Sequence, residues 1–90
     1  MVWVVKAELK GAYTVYVEFN DGVSGVINFK EELENDHLEI FRELLDLKLF
    51  NTVRLDCDTL CWDNEADFAP EYLYELVATQ KQAAMQKQIA

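Results

Sequence analysis

The fold is decided by residues 13–27, which read YTVYVEFNDGVSGVI. Every second side chain from Tyr13 to Phe19 is apolar, which is the period of a half-buried strand. The following Asn20-Asp21-Gly22 is a strong signal for a hairpin turn. This stretch therefore predicts two antiparallel strands joined by a tight loop.

The register of the hairpin follows from its apolar face. A two-residue loop would place Val15 beside the polar Asn28. A three-residue loop with Gly22 in the left-handed conformation keeps one face apolar, which a slip of one residue would invert. We therefore predict a three-residue loop with a glycine bulge. This register pairs Val15 with Ile27, Val17 with Gly25 and Phe19 with Val23.

A second alternating pattern precedes the hairpin. Lys10-Gly11-Ala12 ends it, so it predicts a half-buried strand over residues 3–9. The apolar members of the alternation are Trp3, Val5, Ala7 and Leu9, against Val4, Lys6 and Glu8.

Residues 30–50 predict helical structure. Residues 30–35 read as a polar connector with one helical turn. Asp36 with Glu39 three residues later resembles a capping box. An amphipathic helix packed on the sheet should follow, and Asp46 can cap a further single turn through Phe50. The helical spacing is carried by Leu38, Phe41, Leu44 and Leu45.

A second hairpin and a last helix complete the pattern. Pairing Asp56 with Thr59 across Cys57-Asp58 places Arg54 opposite Cys61. Pro70 suits the first position of a helix, where its missing N–H costs nothing. The buried stripe of this helix is Leu73, Leu76 and Val77. The fold class is α+β, with antiparallel hairpins of about five strands and an amphipathic and a C-terminal helix packed on the sheet.

Chain length predicts a single domain. Ninety residues leave no room for a second core. We expect one α+β domain over residues 1–78. Residues 79–90 are rich in Gln, Lys and Ala and should be a frayed helix or disordered.

Charge excludes two classes of partner. The net charge is -9, from 17 acids and 8 bases that never cluster. Nucleic acids and anionic membranes both require clustered cations, so we expect neither as a partner. The chain also lacks a 20-residue apolar span and a secretory leader, which predicts a cytoplasmic protein.

Catalytic and metal-binding patterns are missing from the sequence. The single histidine, His37, has no adjacent nucleophile, and the Cys57–Cys61 spacing does not form half of a zinc site. The acids from Asp56 to Glu75 do not follow the spacing of a calcium loop. We therefore expect no cofactor, no bound metal and no disulfide, and no enzymatic activity.

Residues 63–75 are the candidate partner surface. Acids without basic neighbours surround two tyrosines there, which suits a basic protein partner. An alternative is a small enzyme or metal binder that uses the acids between Asp56 and Glu75. The candidate residues are Asp63, Glu65, Asp67, Glu71, Tyr72, Tyr74 and Glu75.

Two stretches resemble a bacterial family of small proteins, domain-of-unknown-function family 2442. They are Asp21-Gly22-Val23-Ser24-Gly25-Val26 and Trp62-x-Asn64-x-Ala66-Asp67-x-Ala69-Pro70-Glu71-x-Leu73-Tyr74. The family commonly has proline and glycine where this chain has Asp63 and Glu65. Asn64 or Glu65 must therefore adopt the left-handed turn that glycine favours.

The resemblance implies an α+β fold and no established activity. Some longer relatives resemble proteins with a helix-turn-helix DNA-binding domain, and others are encoded beside a second small protein, as toxin–antitoxin pairs are. Because only about a dozen residues follow the similar region, we expect no DNA-binding part here. The expected role is a non-enzymatic interaction or regulatory module, such as an accessory or antitoxin-like partner of a basic protein, present as a monomer or weak homodimer.

Overall fold

The computed structural model describes the backbone of residues 1–89 and the side chains of residues 1–81. The strands form a three-stranded sheet, ordered β1-β2-β3, and a separate β4-β5 hairpin. The predicted α+β class is confirmed. In chain order the elements are β1 Val4–Gly11, β2 Thr14–Phe19, β3 Ser24–Asn28, α1 Lys30–Glu34, α2 Glu39–Arg42, a 3-10 turn Glu43–Leu45, α3 Leu47–Phe50, β4 Arg54–Asp56, β5 Thr59–Cys61 and α4 Pro70–Ile89.

The β2–β3 hairpin has the predicted register. Val15 lies opposite Ile27, and Val17 lies opposite Gly25. Gly22 has a φ of 89°, a conformation that a side chain would strain. This register confirms the prediction of a three-residue loop. The chain adopts it because only this register keeps the inner face of both strands apolar.

The start of β1 differs from the predicted alternation. Val4 is 1% exposed, whereas Trp3 and Val5 are 38% and 49% exposed. The register shifts between Val4 and Lys6, so one extra residue is inserted opposite Phe19. This bulge reverses the side-chain pattern at the beginning of the strand and turns Trp3 out of the core.

The predicted amphipathic helix is shorter than expected. The side chain of Asp36 accepts a hydrogen bond from the backbone N–H of Leu38 at 2.8 Å. Leu38 is extended, with a ψ of 125°, and is half exposed. The helix therefore begins at Glu39 and tightens into the 3-10 turn, and Leu38 does not belong to the buried stripe.

The next two elements, α3 and the β4–β5 hairpin, form as predicted. Asp46 Oδ1 accepts a hydrogen bond from the N–H of Lys48 at 3.0 Å and caps α3. In the β4–β5 turn, Cys57 and Asp58 have φ values of 49° and 66°. Two consecutive positive φ values are those of a type I′ hairpin turn, whose twist matches the strands.

Aromatic side chains fill the core between the sheet and the helices. The indole N–H of Trp62 donates to the carbonyl of Phe50 at 2.9 Å, so this fully buried polar group is satisfied. The rings of Phe29 and Trp62 meet edge to face at 6.0 Å. The aromatic residues buried together are Phe19, Phe29, Phe50, Trp62 and Phe68.

Helix α4 begins at Pro70, as predicted, and packs its stripe of Leu73, Leu76 and Val77 against the core. Its contact with the sheet continues to Gln80. The Gln80 amide accepts from the N–H of Asn28 and donates to its C=O, both at 3.0 Å. The helix extends to Ile89. The expected frayed or disordered tail, residues 79–90, lies largely outside the residues whose side chains are described.

Candidate functional site

The two tyrosines of the predicted surface lie on different flanks of α4. Residues two apart on a helix are separated by about 200° around its axis. Tyr72 donates a hydrogen bond to the Glu32 carboxylate of α1 and stacks on Phe68, with ring centroids 5.8 Å apart. Tyr74 donates to Asp21 at 2.7 Å in the β2–β3 loop. The structure therefore does not bring the two rings into one patch.

Both tyrosines are engaged in contacts that hold the fold together. The hydrogen bond to Glu32 raises the pKa of Tyr72 to about 12, with smaller contributions from burial and from the charge of Glu32. The hydrogen bond to Asp21 raises the pKa of Tyr74. The N–H of Val23, and then the Tyr74 hydroxyl, lower the pKa of Asp21. Each phenol is therefore a neutral donor at physiological pH.

Asp63 is not a free acid. Its carboxylate lies 2.7 Å from the Arg54 guanidinium, in an ion pair at the surface. The expectation that the acids of residues 63–75 lack basic neighbours is wrong at this position. The β4–β5 register explains the difference, because it places Arg54 opposite Cys61, two residues before Asp63.

The loop after β5 is fixed by Asn64. Its side-chain N–H groups donate to the carbonyl of Ile40 at 2.9 Å and to Glu43 at 3.0 Å, and its oxygen accepts from the N–H of Ala66. Glu65 takes the left-handed conformation with a φ of 70°, as one of the two predicted residues had to. Asn64 therefore acts in folding, and the Glu65 side chain is exposed at a turn.

The three remaining candidates, Asp67, Glu71 and Glu75, are exposed acids. The Asp67 backbone bridges to Cys61, and among residues 1–81 its carboxylate has no hydrogen-bond partner. The first turn of α4 instead bonds to the carbonyl of Ala69, so Asp67 does not act as a helix cap. Glu71 lies in the first turn of α4, where a negative charge suits the helix dipole.

Glu71 belongs to a groove that the sequence did not indicate. Two adjoining hollows share Met1, Val2 and Glu71 in their linings, and we name them together the Trp3–Glu71 groove. The first has a volume of about 420 Å³ and is also lined by Trp3, Cys57, Asp58 and Pro70. The second has a volume of about 430 Å³ and is also lined by Asn20, Asp21 and Tyr74.

The β1 bulge and two turns hold the groove in place. Asn20 accepts from the N–H of Trp3 at 2.9 Å, and its own side-chain N–H donates to the carbonyl of Met1 at 3.1 Å. The N–H of Val4 donates to the carbonyl of Asp58 at 2.9 Å. Residues 1–4 are thereby fixed between the β2–β3 loop and the β4–β5 turn, with the Trp3 ring at the surface.

The groove is negatively charged. Asp58 and Glu71 line the first hollow, and Asp21 and Glu71 line the second. Apart from the α-amino group of Met1, no cation lines either hollow in the part of the chain whose side chains are described. The charge of Asp56, and then a hydrogen bond with it, raises the pKa of the exposed Cys57 thiol. This environment disfavours a thiolate, so it does not support nucleophilic chemistry at Cys57.

A larger cleft between α1 and α4 fits a binding role less well. It has a volume of about 900 Å³, and its lining includes Glu31, Glu32 and Glu34. Two of its polar side chains are already engaged, since Glu32 accepts from Tyr72 and the Gln80 amide bonds to the backbone of Asn28. None of the described residues that line this cleft has an exposed large apolar side chain that could anchor a partner.

Neither a metal site nor a membrane span is found within the described residues. No three His, Cys, Asp or Glu side chains come together there in a way that could hold a metal ion. None of the helices has the length and apolar content needed to cross a bilayer.

Sequence reasoning missed Trp3, Asn20 and Asp58 as groove residues. The alternation from Trp3 to Leu9 placed Trp3 on the buried face, and only the bulge reverses it. One signal was available: Val2 and Val4 form an alternative apolar pair in the opposite phase to Trp3. The hydrogen bonds of Asn20 to residues 1–3 span 17 or more positions and have no local signature.

The residues that carry the family resemblance meet in space. Tyr74, in the second stretch, bonds to Asp21 in the first. The model of the family described as "Protein of unknown function (DUF2442)" matches residues 4–79. Neither a curated protein nor a solved structure matches the chain significantly. With a match over most of its length, the chain belongs to the DUF2442 family, whose function is not known.

Proposed function

We propose that this domain is a non-enzymatic protein-interaction module that binds a basic segment of a protein partner in the Trp3–Glu71 groove. The partner would be a basic protein for which the domain acts as an accessory or antitoxin-like companion. The proposal keeps the expected chemistry of the partner and moves the docking site from the two tyrosines to Trp3.

The observation that supports the proposal is an exposed indole in an anionic groove. Trp3 is 38% exposed and lines the same hollow as Asp58 and Glu71. Tryptophan is enriched among the residues that contribute most to protein interfaces, because a large ring buries much area on contact. Carboxylates around such an anchor select a positively charged partner and speed its approach.

The contacts of Trp3 also leave its side chain available. Its backbone is bonded to Asn20, but the indole N–H has no hydrogen-bond partner within residues 1–81. The bonds to Asn20 hold the backbone of Trp3 in place before a partner arrives. Such preorganisation lowers the entropy lost on binding.

The alternative of an enzyme or metal binder has less support. It requires acids between Asp56 and Glu75 to converge on one point. Asp58 and Glu71 do share the Trp3 hollow, but among the described residues no third His, Cys, Asp or Glu joins them to hold a metal ion. Asp63 is paired with Arg54, and Glu75 lies beside Tyr72 on the flank of α4 away from Tyr74. Neither observation favours a shared catalytic or metal centre.

The test measures binding of short basic peptides to the full chain at low and moderate salt. The Asp58→Asn/Glu71→Gln variant should weaken binding at least about tenfold, because it removes both charges from the Trp3 hollow. Glu34→Gln/Glu39→Gln is the matched control, since it removes two exposed charges outside the groove and should change affinity much less.

Equal loss of affinity in both variants would mean that only the net charge of -9 attracts the peptides, and the groove would not be the docking site. Asparagine tolerates the left-handed conformation of Asp58, so the turn should persist in the double variant. Circular dichroism and thermal unfolding are the controls that check whether each variant is folded.

A further inference from the structure

We propose that the partner group bound against Trp3 is the guanidinium of an arginine, and that the groove selects arginine over lysine. This inference rests on the proposed function, since it specifies the basic side chain that the groove takes. The supporting observation is that Trp3, Asp58 and Glu71, which belong to separate elements, line the same hollow.

The hollow combines an aromatic ring with two carboxylates. Asp58 lies in the β4–β5 turn and Glu71 in the first turn of α4, and both line the hollow that holds Trp3. Two acceptors from separate elements, beside an aromatic face, can engage a planar cation from more than one side. A guanidinium has five donors in a flat fork and stacks on aromatic rings, so it can use the ring and both carboxylates at once.

An ammonium group fits the same hollow less well. Lysine has a compact, strongly hydrated charge that loses more hydration when it enters an apolar site. Val2 and Pro70 belong to the same lining as Trp3, so much of the wall near the ring cannot replace lost water. Attraction to the face of an indole is also found more often for arginine than for lysine.

The charge balance of the hollow favours a cation in spite of the nearby helix end. The start of α4 contributes the equivalent of about +0.5 charge. Asp58 and Glu71 together carry two negative charges, and the α-amino group of Met1 in the same lining carries one positive charge. With the helix end included, the local sum is about -0.5 and remains negative. The chain's own Arg54 does not fill the site, because it is paired with Asp63 at 2.7 Å.

The experiment compares two short capped peptides that are identical except that every arginine of one is lysine in the other. Binding to the full chain is followed by tryptophan fluorescence. Trp62 is fully buried, so a change in emission on peptide addition should come from Trp3. The wild-type chain should bind the arginine peptide about fivefold or more tightly than the lysine peptide.

Two variants locate the preference. Trp3→Leu retains apolar area but removes the ring, so it should reduce the arginine preference to about twofold or less. Trp3→Phe keeps an aromatic face and should retain part of the preference. The affinities of both Trp3 variants are measured by calorimetry, because the fluorescence reporter is lost in each. Asp58→Asn/Glu71→Gln should weaken both peptides.

The outcomes separate the two proposals. Arginine preference in the wild type that is lost in Trp3→Leu supports the inference. Equal binding of both peptides, weakened by Asp58→Asn/Glu71→Gln, would overturn the arginine inference and leave the interaction function standing. If neither peptide binds, or if Glu34→Gln/Glu39→Gln is equally damaging, both proposals are wrong. A preference that persists in Trp3→Leu would also overturn the inference.

Discussion

Gly25 of β3 lies close against α4, and it is the one glycine of the chain at which an added Cβ would meet other atoms within 4 Å. A Cβ atom on Gly25 would lie 2.7 Å from Cγ1 of Val77, closer than such atoms come in folded proteins. Val77 is buried and β-branched, so its side chain has little freedom to turn away. The Cε atom of Lys81, at 3.2 Å, belongs to a flexible side chain and can move. Gly25→Ala must therefore displace Val77, and α4 with it.

The size of the effect follows from two opposing contributions. Overpacking of a core contact costs about 1–3 kcal/mol. Alanine restricts the unfolded chain, which returns about 0.4–1 kcal/mol where the native conformation is compatible, and Gly25 has no positive φ. We expect a net loss of about 1.3 kcal/mol in the free energy of unfolding. In a domain of this size the melting temperature should fall by about 5–10 °C.

The assay is urea and thermal unfolding followed by circular dichroism. Gly11→Ala is the matched control, because Gly11 is also in a strand but has no atom within 4 Å of an added Cβ. Its stability should be unchanged or slightly raised. Adding Val77→Ala to Gly25→Ala should cost less than the sum of the two single changes, since it removes the clashing methyl groups. Wild-type stability in Gly25→Ala, or additive effects in the double variant, would refute this account of the contact.

Two further predictions concern α4. The folded pKa of Tyr72 is raised to about 12 from 10.0, so its contact with Glu32 stabilises the fold fully below pH 10, and this contribution is lost as the pH rises towards 12. Tyr72→Phe should abolish the most alkaline step in a spectrophotometric titration of the tyrosines, and the persistence of that step would assign it elsewhere. A chain ending after Lys81 should unfold within about 0.5 kcal/mol of the full chain, because few large apolar residues follow. A chain ending after Thr79 should lose about 1–2 kcal/mol more, since it lacks both hydrogen bonds of Gln80 to Asn28, and equal stability of the two truncations would show that these bonds contribute nothing.

The parts of the fold that could be predicted depend on residues close in sequence. The β2–β3 register follows from alternation and from one glycine that accepts a positive φ. The turn at Cys57-Asp58 follows from the pairing of Asp56 with Thr59, and the start of α4 follows from Pro70. In each case the deciding interaction spans only a few positions, so composition and spacing are sufficient.

The parts that were missed depend on distant residues. The β1 bulge is set by pairing with Phe19 and by the bond from Val4 to Asp58, neither of which has a local pattern. Trp3, which the alternation places in the core, therefore lies exposed in the lining of the groove. The separation of Tyr72 from Tyr74 was in principle available from helical geometry, but their partners, Glu32 and Asp21, lie 40 and 53 positions away.

The Gln80 amide has a consequence for how the sheet meets other molecules. The side-chain amide of Gln80 accepts from the N–H of Asn28 and donates to its C=O, so it takes up both backbone groups that a residue of a neighbouring strand would pair with at this position of β3. Exposed strand edges recruit strands from other chains and promote aggregation. A foreign strand extending along β3 to Asn28 would first have to displace Gln80. We therefore expect the Gln80 side chain to oppose self-association through this edge, and its loss should first become visible as reduced solubility at high concentration.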